Sequence, residues 1–222
     1  MKKNPFIISI VFGTLMIITG IILMGFNPLP QNNLPIGFKS VVLAFEFIKT
    51  NKEVAHFFKI ENLEEFLYKF MMVNRIDYAF MAFYSIFLAS FSFVLYKITK
   101  INVLLLAVFL ALVAWPSDLL ENFQIAKIAN NIYGNNDNAL DLLNIFTWIK
   151  WGAICGTLLI ISTFFFKKTF FSILTASSCL LSFIFGCISF MHRSLANELM
   201  GLFVMLSFLL LYVCAWGYKK LL

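Results

Sequence analysis

Six long apolar stretches make up more than half of this 222-residue chain and constrain its fold more than any other feature. A helix needs about 20 predominantly apolar residues to cross the roughly 30 Å hydrocarbon core of a membrane. Each stretch approaches or exceeds that length, so the sequence predicts an all-α, polytopic membrane helix bundle with six transmembrane helices. The predicted spans are about 5–26, 77–96, 103–120, 145–166, 170–190 and 195–218.

The composition requires the same environment. Hydrophobic residues make up 61% of the chain and charged residues only 13%, whereas a soluble domain carries about 25% charged and 45–50% apolar residues. A single core in a chain of this size cannot hide the excess, so much of it must face lipid. The length predicts one integral membrane domain over 1–222.

The formal charge of +6 does not indicate a nucleic-acid partner. The lysines lie at the ends of apolar runs and form no basic face with interleaved aromatic residues. Membrane lipids are the expected partners, and nothing in the sequence identifies a protein partner. No Walker motif, paired-histidine haem arrangement or His-rich di-iron box is present, so no cofactor is predicted. The four cysteines lie within apolar runs without C-x-x-C spacing and are expected to be small hydrophobes.

The first span has two interpretations. Lys2 and Lys3 followed by an apolar run could be a signal peptide, but the run is longer than the usual h-region of about 7–15 residues. No small-x-small cleavage site follows it. An uncleaved membrane anchor is therefore the favoured interpretation.

Charge placement predicts the orientation. One set of span ends carries lysines and no acid, while all eleven Asp and Glu residues belong to the other set. Basic residues in short loops mark the cytoplasmic side, so both termini are predicted in the cytoplasm, in the inner (plasma) membrane of a bacterial cell. The lysines are Lys2, Lys3, Lys97, Lys100, Lys167, Lys168, Lys219 and Lys220.

The first outer connection, 27–76, is predicted to contain short amphipathic helices. A moderate helical pattern covers 39–59, with charges between the apolar positions. This segment could lie along the membrane interface or cap the helix bundle. Glu61–Phe70 is predicted to be a second short helix, with Asn62 as N-cap and Glu65 three residues later.

The second outer connection covers about 119–144 and contains Tyr-Gly-Asn-Asn-Asp-Asn at 133–138, a strong turn signal. Pro116, just before it, removes a backbone donor and is predicted to bend the third span. Two outcomes are open: a bend alone, or a bend that turns Asp118 and Glu121 inward.

The ionisable residues near the spans collect at their outer ends. Asp118, Glu121 and Asn122 share one face of the third span because they are three and four residues apart. Carboxylates at membrane depth usually face the bundle interior and find a partner, and arginine suits paired carboxylates. We expect one outer layer to contain both arginines and Lys150. The candidate ligand-binding residues are Arg75, Asp77, Tyr84, Asp118, Glu121, Asn122, Lys150, His192, Arg193 and Glu198.

Three functions are consistent with such a layer. It could be a structural ion-pair network in a non-catalytic assembly protein, or a polar pocket for a lipid or small amphiphile at the outer face. It could also belong to a membrane enzyme acting on lipid at the outer leaflet, with Asp118 or Glu121 as base. His192 offers a nitrogen ligand beside the carboxylates, but without a spacing motif no metal site is predicted.

The predicted span middles contain no charged residue or histidine. Ion-coupled transporters usually place such groups near the midplane, which argues against secondary transport.

Four motifs with polar residues lie within about the first 125 residues. They are Leu34-Pro35-Ile36-Gly37, Ala44-Phe45-Glu46, Asp77-x-x-Phe80-x-x-x-Tyr84 and Asp118-x-x-Glu121-Asn122. Together they resemble a recurring group of small uncharacterised bacterial multi-pass membrane proteins. The resemblance implies no activity, but it adds Glu46 to Asp77, Tyr84, Asp118, Glu121 and Asn122 as members of its polar pattern.

Overall fold

The structure, a computed structural model, describes residues 4–26, 28, 34, 35, 37–166 and 169–217. Over these residues the chain is all-helical, and six of its helices are long and apolar enough to cross a membrane, as predicted. The helices are α1 (Ile7–Phe26), α2 (Val41–Glu46), α3 (Asn51–Phe57), α4 (Leu63–Thr99), α5 (Val103–Ala129), α6 (Asp137–Ser162), α7 (Phe170–Met191) and α8 (Leu195–Trp216).

The six long helices form a closed ring, in which each packs against the next along the chain and α8 returns to α1. Small and hydroxyl side chains permit the closure. A Cβ at Gly13 of α1 would lie 2.6 Å from a ring carbon of Tyr212 in α8, so only glycine allows this approach. The Tyr212 hydroxyl lies 2.8 Å from the hydroxyl of Thr14. The ring encloses one hydrophobic core.

The short helices α2 and α3 cap one end of this ring, which we call the capped end. Helices α4, α6 and α8 begin there, and α1, α5 and α7 end there. Segment 39–59 is predicted either to lie along the membrane interface or to cap the helix bundle. It caps the bundle, since Phe45, Phe57 and Phe58 are almost fully buried. The segment forms two helices, since Thr50 accepts a hydrogen bond from the Glu53 backbone N–H and starts a new one. Ser40 caps α2 in the same way.

The prediction of a separate short helix at Glu61–Phe70 is wrong, and two further helices extend beyond the predicted spans. The proposed short helix at Glu61–Phe70 and the second span are one continuous 37-residue helix, α4, because no glycine or proline interrupts residues 60–99. Helix α5 continues through Pro116 to Ala129, and α6 begins at Asp137 rather than near residue 145. The boundaries were placed where apolar character ends, but the polar residues beyond remain helical.

Two further predictions meet the structure only in part. Asn62 is the N-cap residue of α4, but its side chain makes no capping hydrogen bond. Lys97 and Lys100 lie at the end of the ring opposite the capped end. The remaining lysines of the orientation prediction lie outside the described residues, as do Ile36 of the resemblance and residue 218 of the last predicted span. These lysines are Lys2, Lys3, Lys167, Lys168, Lys219 and Lys220.

Candidate functional site

A buried ion cluster joins α2, α5 and α6 inside the ring. Its centre is the Lys150 ammonium, whose Nζ lies 2.6 Å from Glu121 Oε2, 3.1 Å from Glu46 Oε1 and 3.5 Å from Asp118 Oδ1. All four side chains are buried. One ammonium of α6 therefore faces three carboxylates, two from α5 and one from the capping helix α2.

Each carboxylate of the ion cluster also accepts a hydrogen bond from an uncharged donor. The Tyr84 hydroxyl donates to Asp118 Oδ2 over 2.6 Å, and the Trp151 indole N–H donates to Glu46 Oε2 over 2.9 Å. On the third carboxylate, the Thr147 hydroxyl lies 3.0 Å from Glu121 Oε1. These donors fix the carboxylate orientations, as buried polar groups require.

Asp77 lies beside the ion cluster but has a different environment. Its Oδ2 accepts a 2.7 Å hydrogen bond from the Asn122 amide. Among the described residues no lysine, arginine or histidine lies within ion-pair distance of it. Asp77 is also partly exposed. Of the four neighbouring carboxylates, it is the one without a cationic partner among the described residues.

The site holds more acidic than basic groups, because four carboxyl groups lie around one ammonium. Burial raises the pKa of the Glu46 carboxyl above its usual value, while the nearby Lys150 ammonium opposes that rise. Buried charges are stable only when they are paired and hydrogen-bonded. The excess must be balanced by protons or by a cation.

A cavity of about 360 Å³ opens onto one side of the ion cluster. Its polar floor contains Asp77 and Tyr84, together with three members of the cluster, namely Glu46, Asp118 and Lys150. Glu121 does not line it. The cavity therefore touches one side of the cluster, while Glu121 and its partner Thr147 are sealed on the other.

The walls of this cavity are apolar and come mainly from α1, α4 and α8. Met24 of α1 and Met205 of α8 line it and are 78% and 45% exposed. The cavity thus reaches the bundle surface between α1 and α8. It combines a charged floor with an apolar exit on the lipid-facing side of the ring.

A second cavity of about 430 Å³ lies between α6 and α7 and is lined only by apolar, glycine and cysteine residues. Trp151 borders both cavities and separates them. No charged side chain lines this second space, so it offers no means of orienting a polar group.

The structure does not place the arginines opposite the carboxylates of α5, so that expected pairing is wrong. Arg193 pairs with Glu53 of α3 over 2.5 Å and also donates to the Phe47 carbonyl. Arg75 is exposed. Lys150 pairs with these carboxylates instead, because its position on α6 faces α5 directly, whereas Arg193 lies in the turn before α8.

Two other predicted site residues also lie outside the ion cluster. Glu198 accepts hydrogen bonds from the backbone N–H groups of Lys39 and Ser40, both 2.8 Å long. It therefore anchors the chain before α2 to α8. His192 is exposed and lines neither cavity. Within the described residues, no group of three His, Cys, Asp or Glu side chains is arranged to hold a metal ion.

The ion cluster lies far from both ends of α5 and α6. Because α5 extends to Ala129 and α6 starts at Asp137, Asp118 and Lys150 lie near the middle of their helices. The expectation against secondary transport concerns the middles of the membrane spans, and it stays a prediction because the helix ends do not define where the membrane begins.

Sequence reasoning omitted Glu46 from the candidate ligand-binding residues. The only signal for it was its place in the polar pattern of the resemblance. Its inward direction depends on the tertiary position of α2, which helical periodicity does not reveal. Thr147 and Trp151 were missed for a related reason, since their roles depend on Glu46 and Glu121 being nearby.

Comparison with protein-family models, curated proteins and solved structures gives no match for this chain. The function must therefore be argued from the site itself.

Proposed function

We propose that this protein is a multi-pass membrane protein of the bacterial inner (plasma) membrane that binds a lipid or small amphiphile in the cavity floored by Asp77, Tyr84, Asp118 and Lys150. One observation carries the proposal: charged floor, apolar walls and a lateral exit occur in a single cavity. Ligand sites are typically concave, largely apolar and about 300–1,000 Å³, with a few polar groups that fix orientation. A volume of about 360 Å³ suits a head group and the first part of a chain.

The proposal includes an orientation. The predicted positive-inside distribution puts the capped end outside the cytoplasm. A ligand would then enter between α1 and α8 from the outer part of the membrane. The resemblance of the first 125 residues belongs to the same proposal, since Glu46, Asp77 and Tyr84 of its polar pattern line the cavity.

A purely structural role explains only part of the arrangement. It accounts for Lys150, Glu121 and Thr147, which are buried and bonded to one another. It accounts for neither the cavity nor Asp77, a carboxylate on the cavity floor without a cationic partner among the described residues. These two features favour ligand binding over a packing network alone.

Acid–base chemistry on a bound lipid is a second candidate function, and one observation favours Asp118 as its base. Asp118 lines the cavity and bonds the Tyr84 hydroxyl, whereas Glu121 is fully buried and does not reach the cavity. Purified protein incubated with native lipid extract would then form a product that Asp118→Asn does not form. Equal product from both proteins would contradict this role.

Two glycines of α1 offer a matched test of binding. A Cβ at Gly20 would lie 3.6 Å from the Phe80 ring on the cavity wall, whereas a Cβ at Gly25 would meet nothing within 4 Å. Gly20→Leu should fill the cavity, and Gly25→Leu should not. Both replace glycine in the same helix by the same side chain.

Thermal unfolding in a neutral detergent, with and without native lipid extract, provides the readout, because a ligand stabilises the state it binds. We expect lipid to raise the Tm of wild type and Gly25→Leu but not of Gly20→Leu. If Gly20→Leu responds to lipid as wild type does, the cavity is not the binding site.

A further inference from the structure

We infer that the cavity takes an amphiphile whose head group is a protonated amine, with Asp77 as its main charged partner. This inference rests on the proposed function and specifies the chemistry of its ligand. The relevant observations are the charge of the floor, the environment of Asp77 and the aromatic rings around it.

The charge of the cavity floor disfavours an anionic head group. Its ionisable side chains are Glu46, Asp77, Asp118 and Lys150, together with the Tyr84 phenol. The Lys150 ammonium already lies within 3.5 Å of three carboxylates. A phosphate or carboxylate ligand would meet three acidic side chains and one ammonium that is already paired, whereas a ligand ammonium could pair with the carboxylate that Lys150 does not reach.

Asp77 is the carboxylate best placed to receive such an ammonium. Its Oδ2 is occupied by the Asn122 amide, and no described residue donates to its Oδ1. It lies on the same face of α4 as Tyr84, seven residues away. Carboxylates at membrane depth usually pair with a cation, and a ligand amine in the cavity would supply one.

Aromatic rings also line the cavity and favour the binding of a cation. Phe80, Tyr84, Trp151 and Phe208 all line the cavity, and aromatic faces attract ammonium groups. The Lys150 Nζ already lies 5.1 Å from the Trp151 ring centre. An amine entering beside Asp77 would meet the same combination of carboxylates and rings, while its alkyl chain passes along the apolar wall between α1 and α8.

Three decyl compounds with different head groups separate the alternatives: decylamine, decanol and decanoate. At pH 7 an alkyl amine, like lysine with a pKa of about 10.4, is protonated. Asp77→Asn removes the proposed partner, and Asp141→Asn makes the same change at an exposed position of α6 that does not line the cavity. Each compound is titrated against each protein in a neutral maltoside detergent, with Tm as readout.

We expect decylamine to stabilise wild type and Asp141→Asn at concentrations at least about tenfold lower than decanol, with decanoate weakest. Asp77→Asn should lose this preference. If decanol and decylamine act equally on wild type, and Asp77→Asn changes neither, the amine inference is wrong while amphiphile binding stands. If none of the three compounds raises the Tm of wild type, and Gly20→Leu responds to lipid as wild type does, both proposals fail.

A further comparison distinguishes a membrane lipid from a free alkyl amine as the source of the amine. Phosphatidylethanolamine and phosphatidylglycerol are compared under the same conditions. Stabilisation by phosphatidylethanolamine and decylamine, but not phosphatidylglycerol, supports a membrane lipid as ligand. Stabilisation by decylamine alone supports a free alkyl amine. Stabilisation by phosphatidylglycerol equal to that by phosphatidylethanolamine would overturn the inference.

Discussion

The ammonium nitrogen of Lys150 lies 2.6 Å from Glu121 Oε2, and both side chains are almost completely buried. This pair forms the sealed side of the ion cluster, away from the cavity. On the other side Lys150 reaches the cavity floor, where it pairs with Glu46 and lies 3.5 Å from Asp118. One lysine therefore connects a structural contact to the proposed binding site.

Replacing Lys150 by methionine should strongly destabilise the protein. Methionine has a similar volume, but the change leaves three carboxylates without their cation. Breaking a buried ion pair by removing one partner costs about 3–5 kcal/mol. The measurement is the unfolding midpoint in neutral detergent, with Lys127→Met at an exposed position of α5 as control. Equal midpoints for the two variants would show that Lys150 does not stabilise the bundle.

Tyr84→Phe should cost about 1.5–3 kcal/mol of stability, the usual worth of a hydrogen bond to a charged group. The substitution removes only the hydroxyl that donates to Asp118 Oδ2. Tyr133→Phe is the matched control, because Tyr133 is 82% exposed. A Tyr84→Phe protein as stable as the control would contradict the hydrogen bond.

The Arg193–Glu53 ion pair should make stability depend on acid pH. The hydrogen bond from Arg193 lowers the pKa of Glu53 below its usual value of 4.5. A lowered folded-state pKa contributes stability that is present above about pH 4.5 and is lost as the pH falls through the folded-state pKa.

Unfolding midpoints from pH 7 to pH 3 test this dependence. Glu53→Gln should be less stable than wild type at pH 7, and the difference should shrink below pH 4.5. Glu64→Gln, at an exposed position of α4, serves as control. A constant difference between Glu53→Gln and wild type across the range would contradict the ion pair.

The orientation predicts which residues an impermeant thiol reagent reaches in intact cells. Tyr133→Cys lies near the capped end and should be labelled, whereas Lys97→Cys, at the opposite end, should react only after permeabilisation. Both changes are made in a protein whose four native cysteines are replaced by alanine. Labelling of position 97 but not 133 in intact cells would reverse the topology.

Hydropathy alone predicts the six long helices because each contains a membrane-length apolar core. It could not locate their ends, since helix geometry continues through polar residues such as Glu121 and Asp141. Helical spacing also placed Asp118, Glu121 and Asn122 on one face, and the structure brings the first two to Lys150.

The partners across the bundle were harder to predict. The choice between Lys150 and the arginines depends on how α6 rotates against α5, and spacing within one helix does not contain that information. The inward direction of Glu46 depends on α2 entering the ring at the capped end. Such contacts arise from tertiary packing between segments far apart in sequence.

The most direct test of the account compares Asp77→Asn with Glu121→Gln in thermal unfolding, each with and without native lipid extract. We expect Asp77→Asn to be at least as stable as wild type without lipid but to lose the lipid-dependent rise in Tm, because binding residues are often not optimised for stability. Glu121→Gln should be less stable than wild type under both conditions and keep the rise. If both variants instead lose stability equally and both keep the full rise, the carboxylates form a structural network and the cavity is not a binding site.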